Sequence, residues 1–186
     1  PHIPAGGGKL APHLGIITLA ALTPPDIDVS VVDENLEKIN FDEKVDMVGI
    51  TAMTPTATRA YEIADSFRRR DVPVVMGGFH PSFMPEEAIR HCDSVVIGEA
   101  EDIWPNVLHD LKSKKLKKFY KQNSFGSLES LPVPRRDLLH RKSYIMFNTV
   151  ETSRGCPFHC SYCSVSAFFG NTYRSRPVRD VLREVE

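Results

Sequence analysis

The chain has 186 residues, 41% of them hydrophobic and 25% charged, and a net charge of −1. That length allows one full domain and part of another, and the composition is ordinary for a soluble globular protein. The near-zero charge excludes a global electrostatic pull towards nucleic acid or anionic membrane, and no uncharged apolar run approaches the roughly 18 residues of a membrane span.

Residues 1–10 read as a loop with Gly6-Gly7-Gly8-Lys9 at its tip. A phosphate-binding loop needs G-x₄-G-K-[ST] after a strand; here Leu10 follows the lysine and no strand precedes it. Residues 13–22 predict an almost wholly apolar helix buried against a sheet, stopped by Pro24-Pro25. Residues 29–32 predict a short β-branched strand with a polar exit, Asp33-Glu34-Asn35. The continuous apolar run 46–53 has the pattern of a central parallel strand buried on both faces.

Thr54-Pro55-Thr56 then opens a helix to about residue 70, with Ala57, Ala60, Tyr61, Ala64 and Phe67 on one face. A strand over 72–76 ends in Gly77-Gly78, and Pro85-Glu86-Glu87 starts another helix. Residues 94–97 predict a strand, and 101–112 a helix that buries Ile103, Trp104, Val107 and Leu111.

Alternating strands and helices joined by short loops define an open parallel α/β sheet. Ligands of such sheets bind outside the carboxyl ends of the strands, which here are residues 51–54, 77–80 and 98–101. The double glycine permits positive φ or close backbone approach by a bulky ligand. A plain glycine turn beside a solvated His80 is the alternative.

Over residues 10–115 the segments V-G-I-T-A-M-T-P, V-V-M-G-G-F-H-P and V-V-I-G-E-A-E resemble the cobalamin-binding domain that precedes many radical S-adenosylmethionine barrels. The resemblance implies a slot for the cofactor's nucleotide tail lined by Thr51 and Met53, then Gly77 and Gly78, with His80, Gly98 and Glu99 on the neighbouring strand ends. It also implies a first strand ahead of Pro1. The motif D-x-H-x-x-G, which supplies a histidine to cobalt in that domain, is absent. Asp33-Glu34-Asn35 offers no histidine, and His80 lies on a different loop. Two explanations stand: cobalamin bound without a protein lower ligand, or a domain that keeps the fold without the cofactor.

Six lysines fall between Lys112 and Lys121. Lysines with interleaved aromatics can track a phosphate backbone, but a solvated helix end and an edge strand guarded by lysines is the reading preferred here; nucleic acid is not an expected partner. The expected organisation is a cobalamin-binding-like domain over residues 1–121, a linker over 122–142, and the start of a second domain over 143–186. Cys92 stands alone before a strand, as a buried small hydrophobe does.

Residues 143–152 predict a strand leading into Cys156, Cys160 and Cys163, spaced C-x₃-C-x₂-C. Thiolates this close can converge on one metal centre, and iron–sulfur clusters are held by cysteine thiolates. No fourth cysteine lies nearby, so one iron of a four-iron cluster would stay open, as a catalytic zinc keeps an open position. A disulfide fits poorly with a chain that shows no secretory segment. A zinc site would need His159 or Cys92 as a fourth ligand, and no second C-x₂₋₄-C or H-x₃₋₅-H unit is present.

With Tyr162 before the last cysteine, this loop resembles the signature of the radical S-adenosylmethionine superfamily. The resemblance implies a 4Fe-4S cluster on Cys156, Cys160 and Cys163, with S-adenosylmethionine on the open iron and Tyr162 against its adenine. It further implies reductive cleavage to a 5′-deoxyadenosyl radical that acts on a small-molecule substrate, with electrons from an external donor in the cytoplasm.

Residues 168–176 continue the loop, and Pro177 opens a last helix with Val178, Val181, Leu182 and Val185 on one side. The fold class expected is an open parallel Rossmann-like sheet of the cobalamin-binding type, followed by the first β/α unit of a radical barrel. A whole barrel takes roughly 200 residues or more, so the chain reads as part of a longer enzyme and is expected to be inactive alone. The leading functional reading is a cobalamin-dependent methyltransferase or related iron–sulfur enzyme. Radical methylthiolation of transfer RNA would bring three further cysteines in the first domain, which holds only Cys92. The non-enzymatic rival is a cobalamin-binding or degenerate interaction module.

Overall fold

The computed structural model describes residues 11–129, 131–140 and 144–186. The Gly6–Lys9 loop tip and the beginning of the strand expected at residue 143 lie outside the described residues. The chain divides into two compact units. One comprises residues 41–126 with 155–173; the other comprises the described residues among 1–40, 127–154 and 174–186.

The first unit is built on a four-stranded sheet of β1 (Val48–Thr51), β2 (Val74–Gly77), β3 (Ser94–Ile97) and β4 (Phe119–Lys121), all parallel and in that order. Helices make the crossovers: α2 (Ala57–Arg68) after a 3₁₀ turn at Thr54–Thr56, α3 (Phe79–Phe83) and α4 (Pro85–Ala88), then α5 (Trp104–Lys112). Pro55 suits the first helical turn, where its missing N–H costs nothing. Ala57, Ala60, Tyr61, Ala64 and Phe67 are all buried on α2, the face expected from their spacing, and Ile63 joins them. The valines of β2 and β3 and Met76 form the core of the sheet, each such side chain contributing about 1.5–3 kcal/mol by its burial.

Several expectations are corrected here. The run 46–53 supplies β1, but among the described residues β1 is an edge strand and only half-buried. Helix α5 starts at Trp104 and buries Leu108, leaving Leu111 at the margin. Every lysine from Lys112 to Lys121 is exposed and β4 is the far edge strand, the solvated arrangement expected. Residues 165–169 form helix α6 (Val165–Phe169) where a continuous loop was expected.

The second unit holds α1 (Leu14–Leu22), the two-residue strands β5 (Ser153–Arg154) and β6 (Arg174–Ser175), paired antiparallel, and α7 (Val178–Val185). Residues 29–32 are not a strand: they find no ladder partner among the described residues. Residues 145–152 likewise form no ladder, and pairing begins only at Ser153. Helix α7 starts after Pro177 as expected, but its apolar stripe faces out, with Val178, Leu182 and Val185 exposed and Asp180 buried. Among the described residues no helix is long and apolar enough to cross a membrane.

Candidate functional site

Three loops meet at the carboxyl ends of β1, β2 and β3, and backbone hydrogen bonds lock the first two together. The Ala52 N–H donates to the Gly77 carbonyl (3.1 Å), and the His80 N–H donates to the Ala52 carbonyl (3.0 Å). Gly78 has φ +92°, and a Cβ there would lie 2.6 Å from the Thr51 Oγ1 and 3.1 Å from the Ala52 carbonyl oxygen. The fold itself therefore requires glycine at 78. Gly77 differs: a Cβ there would make only ordinary contact, 3.7 Å from Val96, so the fold does not itself require glycine at 77. Thr51 is half-buried beside it and Met53 is exposed.

His80 is not the solvated histidine of the plainer reading. It is 7% exposed, with Nε2 at 2.9 Å from the Tyr61 hydroxyl and 3.4 Å from Glu87 Oε1, and Nδ1 at 3.3 Å from the Thr54 hydroxyl. The Tyr61 hydroxyl donates to Glu87 (3.0 Å). Burial, reinforced by Glu87, pushes the Tyr61 phenol up to about 12, so it keeps its proton. Bonds from Tyr61 and then His80 hold Glu87 below the usual carboxylate range. One assignment satisfies every group: Thr54 donates to Nδ1, the Nε2–H donates to Tyr61, and Tyr61 donates to Glu87. Both ring nitrogens are then engaged, and His80 offers no free lone pair to a metal.

At the third strand end the Gly98 N–H donates to the Ser82 hydroxyl (3.0 Å) and the Glu99 N–H to Gln122 Oε1 (2.9 Å). Gly98 has φ +91°, with the Gln122 side chain where a Cβ would stand; Glu99 is buried. Ser82 and Gln122 carried no sequence signal, being single polar residues without spacing or neighbours to mark them.

The cysteine loop belongs to the same compact unit. Gly155 has φ +84°, and a Cβ there would collide with the Thr172 carbonyl. The Cys156 N–H donates to the Gly170 carbonyl (3.2 Å) and the Cys163 N–H to the Cys160 carbonyl (3.1 Å). All three thiols are free, with Cys160 exposed and Cys156 and Cys163 half-buried. Tyr162 and Phe158 project into solvent, 91% and 70% exposed. Among the described residues no three His, Cys, Asp or Glu side chains are grouped as a metal-holding set, so in this conformation the thiols share a loop but do not converge. The donor chemistry still fits an iron–sulfur cluster: three unpaired, solvent-reachable thiols in eight residues. Cys92 is of another kind, 2% exposed and bonded to the Ala88 and Ser94 carbonyls; burial raises its thiol from 9.0 to about 12.

A parallel sheet with a glycine-floored edge is matched by sequence as well: residues 14–108, about half of the chain, match the B12 binding domain family. The chain belongs to that family. It is 39% identical over 181 residues to a bacteriochlorophyllide d C-8(2)-methyltransferase of Chlorobaculum tepidum, covering 94% of this chain and 40% of that protein. The bacteriochlorophyllide d C-12(1)-methyltransferase of the same organism is 31% identical, over 96% of this chain and 40% of the relative. An uncharacterised methyltransferase of Pyrococcus horikoshii is 34% identical, over 96% and 46%. The chain thus spans less than half the length of these relatives.

Proposed function

We propose that the chain is the B12-binding part, together with the cluster-bearing loop, of an iron–sulfur enzyme that transfers a methyl group to a small-molecule substrate. The observation that carries this reading is the pairing of a B12-binding-family sheet with three unpaired thiols spaced C-x₃-C-x₂-C in one compact unit. The methyltransferase names of its relatives support it. Cys156, Cys160 and Cys163 would hold the cluster, and Tyr162, already exposed beside them, would meet the adenine of S-adenosylmethionine. A bound corrinoid would lie against Gly77, with Thr51 and Met53 beside it and His80, Gly98 and Glu99 in the flanking loops.

When bound, the cluster and S-adenosylmethionine supply radical chemistry and the corrinoid carries the methyl group. The chain's own contribution is positional. Gly77 leaves room for close approach, and the His80 network holds the loops after β1 and β2 in place. Since His80 is committed to Tyr61 and Thr54, it would not serve as a ligand to the corrinoid's metal. Unpaired thiols also suit a reducing compartment, the cytoplasm.

The test is anaerobic reconstitution of the full protein with iron and sulfide, followed by assay of S-adenosylmethionine cleavage. Uptake of about four irons is expected, and Cys160→Ala should abolish cleavage; undiminished cleavage by that variant defeats the enzyme reading. Retention of cobalamin by the wild-type protein on ultrafiltration is expected. Failure to retain it favours the second reading, a sheet that keeps the fold without the cofactor, which the engagement of both His80 nitrogens also suits.

A further inference from the structure

Helix α3 is only five residues long, yet its side chains reach three different loops. His80 bonds Thr54 in the loop after β1, and Ser82 accepts from the Gly98 N–H in the loop after β3. Phe79 stacks on Phe168 of α6, ring centroids 4.2 Å apart and planes 12° from parallel. Phe169 meets Phe79 edge-on at 5.6 Å, and Phe83 meets Phe168 at 6.2 Å. Helix α6 ends at Phe169, and the Gly170 carbonyl that follows accepts from the Cys156 N–H. Gly170, at φ +83°, is in turn covered by the Phe125 ring.

A continuous chain of packed and bonded groups therefore runs from the strand-end loops through α3 and α6 to the first cysteine. Nothing in the cysteine loop's own sequence requires such docking. Phe158 and Tyr162 of the loop stay in solvent, while Phe168 is buried against α3 and Phe169 packs beside it. Aromatic pairs in this geometry contribute beyond the area they bury. Packed elements also pass displacement on rather than absorbing it.

We propose that Phe79 and Phe168 are positioning residues that dock the cysteine loop on α3, so that a corrinoid bound against the strand-end loops changes the accessibility of the cysteine thiols. The corrinoid half of the proposal rests on the function proposed above; the docking half does not. A ligand that shifts Thr51, Gly77 or the loop after Gly98 bears on His80 and Ser82, and α3 moves with Phe79 and its partner.

The experiment uses the full chain without cluster. Iodoacetamide modification of Cys156, Cys160 and Cys163 is followed by mass spectrometry, with and without cyanocobalamin, in the wild type, Phe168→Ala and Phe168→Tyr. Buried Cys92 serves as an internal monitor of folding. Without ligand, Phe168→Ala, which loses its contacts with the rings of both Phe79 and Phe83, should speed modification of Cys156 and Cys163 by at least about threefold to tenfold, the size of one aromatic pair. Phe168→Tyr should restore the wild-type rate, and Cys92 should stay protected in all three. Equal rates in the wild type and Phe168→Ala overturn the docking.

With cyanocobalamin retained on ultrafiltration, the wild-type thiol rates should change by about threefold, and those of Phe168→Ala should not. Retained cyanocobalamin with unchanged wild-type rates, or an equal change in Phe168→Ala, overturns the coupling. Failure of the wild type to retain it overturns the corrinoid reading and the coupling with it, while the ligand-free arm still decides the docking.

Discussion

Nε2 of His80 stands 2.9 Å from the Tyr61 hydroxyl, and that hydroxyl is the only atom of Tyr61 that a phenylalanine would lack. The ring itself packs flat on His91, 4.3 Å between centroids, and a phenyl ring keeps that contact. Tyr61→Phe therefore leaves a buried imidazole N–H with only the longer contact to Glu87. An unmet buried donor costs about 1–3 kcal/mol, and urea unfolding should show a loss of that size. A loss near zero would mean that Glu87 closes on His80 and the network is not tightly held.

That network was not legible in the sequence, for a physical reason. Thr54, Tyr61, His80 and Glu87 come from a turn and three helices, and periodicity reports spacing along one helix, never the neighbours of another. The sheet was legible because its two central strands, β2 and β3, are short apolar runs buried on both faces. Ser94–Ile97 falls where it was expected, and the buried face of α2 is the one its alternation of alanine and aromatic residues marks. Residues 29–32 and 145–152 carry strand-like residues too, but a strand exists only with a partner, and composition does not supply one. Helix α7 shows the same limit: its valine and leucine stripe was readable, whereas the burial of the Glu184 carboxylate depends on Arg136 and Arg176, outside the helix.

The buried thiol of Cys92 makes stability depend on alkaline pH with a definite sign. The folded chain holds this proton up to about 12, against 9.0 ordinarily. The unfolded chain therefore releases it first, and stability falls as pH rises through that window; below it the contribution is fully present. Tyr61 and Tyr144, each raised to about 12, act in the same direction from about pH 10 upward. Cys92→Ala should flatten the fall by about 1 kcal/mol per pH unit above pH 9, read from urea unfolding between about pH 8 and about pH 10.5. An unchanged slope would show that Cys92 does not carry the effect.

Gly77 and Gly78 are adjacent but should respond oppositely to alanine. At Gly78 the backbone lies at φ 92°, ψ −169°, a region held essentially by glycine alone, and strain there costs about 1–3 kcal/mol before the clash with Thr51 is counted. Gly77→Ala adds a methyl at ordinary contact distance from Val96 and should change stability by less than about 1 kcal/mol. If a corrinoid lies against Gly77, the same substitution should weaken cyanocobalamin retention while the urea midpoint holds. Loss of stability at Gly77 equal to that at Gly78 would contradict the assignment of one glycine to the fold and the other to the ligand.

In the second unit the fully buried carboxylate of Glu184 is shared by Arg136, at 2.5 Å, and by Arg176. Arg176 has its side chain almost wholly buried, and its Nε and Nη2 find no hydrogen-bond partner among the described residues. Its charge therefore depends on Glu184, since its other contact is the neutral Glu151 carbonyl. Glu184→Gln keeps the volume and one acceptor but removes the one ionised partner that Arg176 has among the described residues. Removing one member of a buried pair typically costs about 3–5 kcal/mol, because the other charge stays desolvated. Arg135→Ala breaks a pair with Asp137 in which both side chains are largely exposed, and should cost no more than about 1 kcal/mol. Thermal unfolding of the two variants should separate them clearly. Equal, small shifts would show that water reaches Arg176 when Glu184 is neutralised, and that the second unit opens there before it unfolds.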